Sequence, residues 1–174
     1  CGLLHSRFTA DDRQRIEERW VNLFGKDGWQ DRTQQGRILV GTQILEQSLD
    51  IDADFLVTRF APSDMLLQRL GRLWRHAGTP REPQACCEAW VLAPDVDAAI
   101  ATPVTAFGSS AYDYSPYVLC RSLEVWRGKA SLHLPHDIRA LIEQTYVQRQ
   151  EDGAMAQWLH ELDNGTPRRK GRKA

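Results

Sequence analysis

The stretch Gln68-Arg69-Leu70-Gly71-Arg72-Leu73-Trp74-Arg75-His76 carries three arginines and a glycine at helical spacing, directly downstream of an apolar segment. Residues three apart on a helix lie about one turn from each other, so the spacing predicts Arg72 and Arg75 on one helix face. Gln68 and Arg69 are expected a turn earlier, on neighbouring edges. Gly71 removes a side chain where a second backbone or a phosphate comes close. An isolated R-x-x-R is usually a solvated face, so the surrounding sequence decides its meaning.

Upstream, Arg37-Ile38-Leu39-Val40-Gly41-Thr42 reads as a short apolar strand ending in a small-residue turn, and Phe55-Leu56-Val57-Thr58-Arg59-Phe60 reads as a second strand. Between these two buried strands Thr42, Gln43, Glu46, Gln47, Ser48, Asp50, Asp52 and Asp54 form a dense polar set. Open α/β sheets bind ligands at the carboxyl ends of their strands. The polar residues after Val40 and the arginines after the next strand are therefore expected on one rim, as a phosphate-type site. Asp52 and Asp54 read as turn and strand-entry residues, positions that Asp favours.

Gly41-Thr42-Gln43 with Glu46 to Asp54, followed by Gln68 to His76, resembles motifs V and VI of superfamily 2 helicases. His5-Ser6-Arg7-Phe8 with Asp12-Arg13 resembles the motif IV region of the same enzymes. The wording E-Q-S-L-D-I-D-A-D and Q-R-L-G-R-L-W-R-H is similar to the CRISPR-associated helicase-nuclease of type I systems. The clear part runs from Leu3 to about His76, and a weaker part continues to about Tyr146. The resemblance implies an α/β fold: an incomplete RecA-like parallel sheet with flanking helices, lacking its first strand and helix, then a helical C-terminal appendage. The expected divisions are residues 1–94 for the RecA-like domain, 95–166 for the linker and helical region, and 167–174 for a basic tail.

By the same resemblance, Arg72 and Arg75 are catalytic arginine fingers. Their planar, permanently charged forks suit two-point contact with phosphate oxygens, and such fingers are worth on the order of 10³ or more in rate. Gln68 contacts the phosphates or bridges to the facing domain. Asp50 accepts a hydrogen bond from the ATP ribose or pairs with a motif VI arginine, and Glu46 and Gln47 tie the loop to the facing domain or to Arg72. Arg69 makes structural or carboxylate-paired contacts. His5, Ser6, Arg7, Thr42 and Gln43 face the sugar-phosphate backbone of a bound strand, which they hold without reading bases.

The parent implied is an ATP-dependent translocase on single-stranded DNA, three-prime to five-prime. It is recruited by a CRISPR surveillance (Cascade-type) complex so that its HD-type nuclease domain degrades the unwound strand. An RNA-directed superfamily 2 helicase is one alternative. A non-catalytic nucleic-acid-binding adaptor with a RecA-like fold is another, against which two intact arginines argue. The sequence holds no G-x-x-x-x-G-K-[ST] cradle and no D-E-x-[DH] pair. The P-loop and magnesium ligands for ATP and Mg²⁺ are therefore expected on the first RecA-like domain upstream, and this chain alone is expected to be inactive.

Composition agrees with a globular chain: 174 residues, 42% hydrophobic and 26% charged. The net charge of −1 leaves any nucleic-acid binding to local patches. No apolar run approaches the length of a membrane span, and no leader is visible. A cytoplasmic location is expected. Cys1, Cys86, Cys87 and Cys120 lack C-x-x-C spacing. Cys86 and Cys87 are expected on opposite faces of a strand, as buried thiols rather than zinc ligands or disulfides.

Elsewhere, Leu3-Leu4-His5 reads as a strand end, and Thr9-x-x-Asp12 as the start of a helix burying Ile16, Trp20, Leu23 and Phe24. Gly25 to Gly36 reads as a polar loop anchored by Trp29. Ser63 is expected to cap a helix that buries Met65, Leu66, Leu70 and Leu73. Ala77 to Pro83 reads as a linker, Cys86 to Leu92 as a core strand, and Pro94 to Ser110 as a connector. Three helices then open at Ser115-Pro116, at Pro135 and near Ala154. The run Arg168 to Lys173 either adds salt-sensitive nucleic-acid affinity or is a disordered linker.

Overall fold

A computed structural model describes residues 1–5, 7–32, 36–46, 49–167 and 169–172. Contacts divide the chain into two compact units, Cys1–Val57 with Gln68–Trp90, and Thr58–Leu67 with Val91–Ala174. The architecture is mixed α/β, with small sheets and several helices.

In the first unit, β1 (Gly2–Leu4) pairs in parallel with β2 (Leu39–Gly41), in the register Gly2 to Leu39 and Leu4 to Gly41. Between them runs α1 (Ala10–Phe24). It starts where the sequence signals: the Thr9 hydroxyl accepts the Asp12 N–H at 3.2 Å and donates to the Asp12 carboxylate at 2.8 Å. Its apolar stripe turns Trp20 and Phe24 into a core with Leu4, Leu49 and Ile51, and Ile16 and Leu23 pack against it. Gly2 is required there, because a Cβ on it would stand 1.9 Å from a ring atom of Trp20. The expected loop after α1 contains a short helix, α2 (Trp29–Arg32). A short 3-10 helix, Gln43–Glu46, follows β2.

The strands β3 (Phe55–Arg59) and β4 (Glu88–Leu92) form a two-stranded sheet. Both were expected to be buried runs. Instead they alternate, leaving Phe55, Val57, Trp90 and Leu92 about half exposed. Leu3 and Val40 in β1 and β2 are exposed in the same way. Period-2 side chains on a two-stranded sheet reach a core on one face only. Cys86 and Cys87 lie before β4 rather than within it, and they are exposed, as is Cys1; Cys120 alone among the four cysteines is buried.

The helix α3 (Ser63–Leu70) buries Leu66 and Leu67, with Met65 partly buried. Ser63 is its first residue rather than a solvent-facing cap. Fully buried, it shares a hydrogen bond of 2.6 Å with the Thr145 hydroxyl and accepts from the Trp126 indole at 2.9 Å, while its N–H donates to Ser122 at 3.0 Å. Those partners leave its hydroxyl no role at the helix terminus.

The segment read as a connector folds into α4 (Val96–Ala101), α5 (Pro103–Phe107) and α6 (Ser110–Asp113). Asp95 caps α4 by accepting the Ala98 N–H at 3.0 Å, and Pro103 opens α5. With α7 (Pro116–Trp126), α8 (Ile138–Tyr146) and α9 (Gly153–Asn164) they enclose the second core, built from Phe60, Leu66, Ala99, Phe107, Leu119, Leu123 and Met155. The chain ends in a small antiparallel pair, β5 (Gly165–Thr166) and β6 (Arg169–Lys170). Arg172 folds back there to bind Asp163 at 2.6 Å. Among the described residues no helix is long and apolar enough to cross a membrane.

Candidate functional site

Parallel pairing of β1 and β2 brings their carboxyl ends side by side, and the Thr42 N–H donates to the Leu4 carbonyl at 3.2 Å. His5 and Thr42, well apart in sequence, therefore leave the sheet as neighbours. Gly41 makes room for this corner: a Cβ there would lie 2.4 Å from Leu45 and 3.1 Å from the Leu4 carbonyl. Thr42, Gln43 and Arg7 are exposed. The imidazole of His5 stacks on Phe8 at 4.2 Å and accepts the Arg7 N–H at 3.0 Å. Ser6 and Gln47 lie outside the described residues.

The arginine segment departs from expectation. The helix α3 stops at Leu70, so Arg72 and Arg75 do not share a helix face. Single-turn bonds run from the Arg72 N–H to Arg69 and from the Leu73 N–H to Leu70, both 3.0 Å. The backbone then forms a parallel bridge to Ala53: the Ala53 N–H donates to the Arg72 carbonyl at 2.8 Å, and the Trp74 N–H donates to the Ala53 carbonyl at 3.0 Å. Bonds to a distant segment take the groups that another helical turn would use, and Trp74 adopts a left-handed φ of 47°. Gln68 is the last exposed position of α3 before this turn.

The bridge brings the two polar stretches together. The Glu46 side chain, 6% exposed, pairs with Arg69, whose Nε donates to it at 2.7 Å. The Glu46 carbonyl accepts from Arg72 at 3.2 Å. Asp50 is half exposed and pairs with Arg75, whose Nε lies 2.8 Å away; His76 Nε2 lies 3.1 Å from the same carboxylate but has no hydrogen-bond partner among the described residues. The pair with Arg75 is one of the two contacts expected for Asp50. Arg72 has a different environment. Among the described residues its buried Nε has no hydrogen-bond partner. Burial and the nearby charge of Arg75 pull its pKa below the usual guanidinium value, with Asp50 opposing them. A partly buried guanidinium whose Nε has no acceptor among the described residues, next to a second arginine, suits an anion.

A second cluster was not legible. Asp52, read as a turn residue, is fully buried. It accepts the Thr79 hydroxyl at 2.6 Å and the His76 N–H at 3.4 Å, and pairs with Arg81. Arg81 also pairs with Asp54 and lies over the Trp74 ring, 5.2 Å from its centroid. The expected linker from Ala77 to Pro83 is thus pinned onto the arginine segment. Its only trace in the sequence is an acidic residue between apolar neighbours, Ile51 and Ala53.

Comparison with known proteins gives a consistent answer. The family described as CRISPR-associated nuclease/helicase Cas3, C-terminal, matches residues 1–78. The CRISPR-associated endonuclease/helicase Cas3 of Thermus thermophilus is 38% identical over 148 residues, covering 83% of this chain and 15% of that protein. The crystal structure of T. fusca Cas3-ATP superposes with a TM-score of 0.70 at 35% identity, over 88% of this chain and 17% of that one. A chain of a CRISPR RNA-guided surveillance complex, pre-nicking, superposes with a TM-score of 0.68 at 36% identity, over 91% of this chain and 19% of that one. This chain therefore spans under a fifth of the length of these relatives.

Proposed function

Because the chain belongs to the Cas3 family of CRISPR-associated nuclease/helicases and corresponds to part of its C-terminal region, we propose that it supplies one half of an ATP site and part of a DNA-strand contact to a motor. The observation that carries this reading is Arg72, a partly buried guanidinium beside Arg75 whose Nε has no hydrogen-bond partner among the described residues. Its surroundings suit a polyphosphate. ATP supplies the phosphoryl transfer that drives the motor, with Mg²⁺ and the P-loop contributed by another domain of the parent. Arg72 and Arg75 hold and neutralise charge on the terminal phosphate, where preorganised cations act without reorganising. Arg75 gives up its pair with Asp50 to do so, and Gln68 on the adjoining helix edge contacts phosphate oxygens. Gln47 belongs with the nucleotide contacts.

At the carboxyl ends of β1 and β2, Arg7, Thr42 and Gln43, together with His5, contact the backbone of single-stranded DNA, and Ser6 belongs with these strand contacts. Glu46 supports this arrangement, since it follows the Thr42 corner directly and grips both Arg69 and Arg72. A CRISPR surveillance complex is the proposed partner of the parent protein. Its support is the likeness to a chain within such a complex.

Single-stranded-DNA-stimulated ATP hydrolysis by the full-length protein tests the reading. Arg72→Ala and Arg75→Ala should each lower turnover on the order of 10³-fold, with DNA affinity kept. Unchanged turnover in both would make the segment a structural turn and bring the adaptor reading forward.

A further inference from the structure

One of the two residues between the proposed fingers is held in a conformation it would not choose. Trp74 has φ 47°, a left-handed backbone that bulky side chains rarely adopt. Such outliers persist where the surroundings over-determine them, and Trp74 is fixed at three points. Its N–H donates to the Ala53 carbonyl at 3.0 Å, its indole N–H to the Asp54 carbonyl at 3.0 Å, and its ring lies under the Arg81 guanidinium. Arg81 in turn is only 10% exposed and is gripped by Asp52 and Asp54. The backbone reversal at Trp74 sets the direction in which the chain leaves Arg72 and delivers Arg75 to Asp50.

We propose that Arg81 is a positioning residue for the nucleotide site, which acts through Trp74 to fix the relative placement of Arg72 and Arg75. This inference rests on the nucleotide reading of those arginines. Arg81 sits on the face of Trp74 and reaches neither finger, so its action is indirect. The arrangement is specific to arginine: a planar fork stacks on an indole and still holds two carboxylates, which a lysine ammonium does not do.

The test uses the full-length protein, with Arg81→Met, Arg81→Lys, Trp74→Gly and Arg72→Ala measured side by side. Two readouts are needed: ATP turnover with its kcat and KM separated, and amide hydrogen exchange in the peptides containing Ala53 and Trp74 without nucleotide. Arg81→Met should speed exchange in both peptides and lower kcat about tenfold or more, because small misplacements of catalytic groups are expensive. KM for ATP and DNA affinity should stay within about twofold. Arg81→Lys should recover little of the loss. Trp74→Gly, which accepts the left-handed φ but removes the ring, should resemble Arg81→Met.

Unchanged exchange in Arg81→Met would overturn the lock, whatever turnover does. Faster exchange with normal kcat, while Arg72→Ala is inactive, would overturn the positioning role and leave the nucleotide reading standing. Full activity in Arg72→Ala would instead sink the nucleotide reading itself, and the positioning role with it.

Discussion

At the residue scale, the molecule invests its buried charge in a few side chains around one bridge. Asp52 is the clearest case. Burial pushes its carboxyl pKa up more than any other single influence, yet the Thr79 hydroxyl, Arg81 and the His76 N–H together hold it below the ordinary 3.8. A carboxyl depressed on folding stabilises the fold fully above its unfolded value, and that contribution fades as pH falls through the folded one. Acid should therefore loosen the bridge between Ala53 and Leu73. Hydrogen exchange of the Arg72–His76 segment, compared at pH 7 and pH 3, should show a pH-dependent gain in exchange that Asp52→Asn largely removes. A gain of equal size in Asp52→Asn would assign the acid sensitivity elsewhere. Neither the burial of Asp52 nor its partner was legible in sequence, since Arg81 lies 29 residues away and reads locally as linker. Asp50 was legible as a polar residue of this rim, and tertiary contact pairs it with Arg75.

At the element scale, local signals were accurate where the deciding interactions were themselves local. The helix α1 begins at its predicted cap because Thr9 and Asp12 satisfy each other within one turn. Thr9→Ala should destabilise the first unit by about 1 kcal/mol, while Thr9→Asp keeps most of the cap. Chemical denaturation monitored by helix content measures both. An equal loss in the two variants would mean that the cap is not the stabilising contact. The helix α3 shows the converse. Its 3.6-residue pattern continues through Arg75 in the sequence, but the backbone leaves the helix at Leu70, because Ala53 supplies a donor and an acceptor that bind Arg72 and Trp74. Propensity is a weak prior once a distant backbone segment offers the same bonds. The connector before α7 was missed for a related reason: α4, α5 and α6 are short, each too brief to show a period, and are held by burial of Ala99, Phe107 and Ala111.

At the scale of the whole molecule, two cores share one chain, each with its own set of buried residues. Leu119 and Trp20 are central to the second and first respectively, with 0% and 6% exposure. Leu119→Ala should cost about 3 kcal/mol and raise hydrogen exchange in peptides from Val91 onward, leaving α1 and the Thr42 corner protected. Trp20→Ala should do the reverse. Uniform loosening by either variant would show that the units unfold as one. Sequence by itself determined the class of the fold, the order of its principal strands and helices, the family, and the two polar stretches that make the candidate site, because those features are written in short-range patterns and in side-chain chemistry. Tertiary structure alone decided how the stretches meet: the end of α3 at Leu70, the left-handed Trp74, the Asp52–Arg81 clamp and the pairing of Arg75 with Asp50. Each depends on hydrogen bonds and charges between residues about 20 or more positions apart, or on a backbone turned by such a bond. Short-range periodicity holds no record of them.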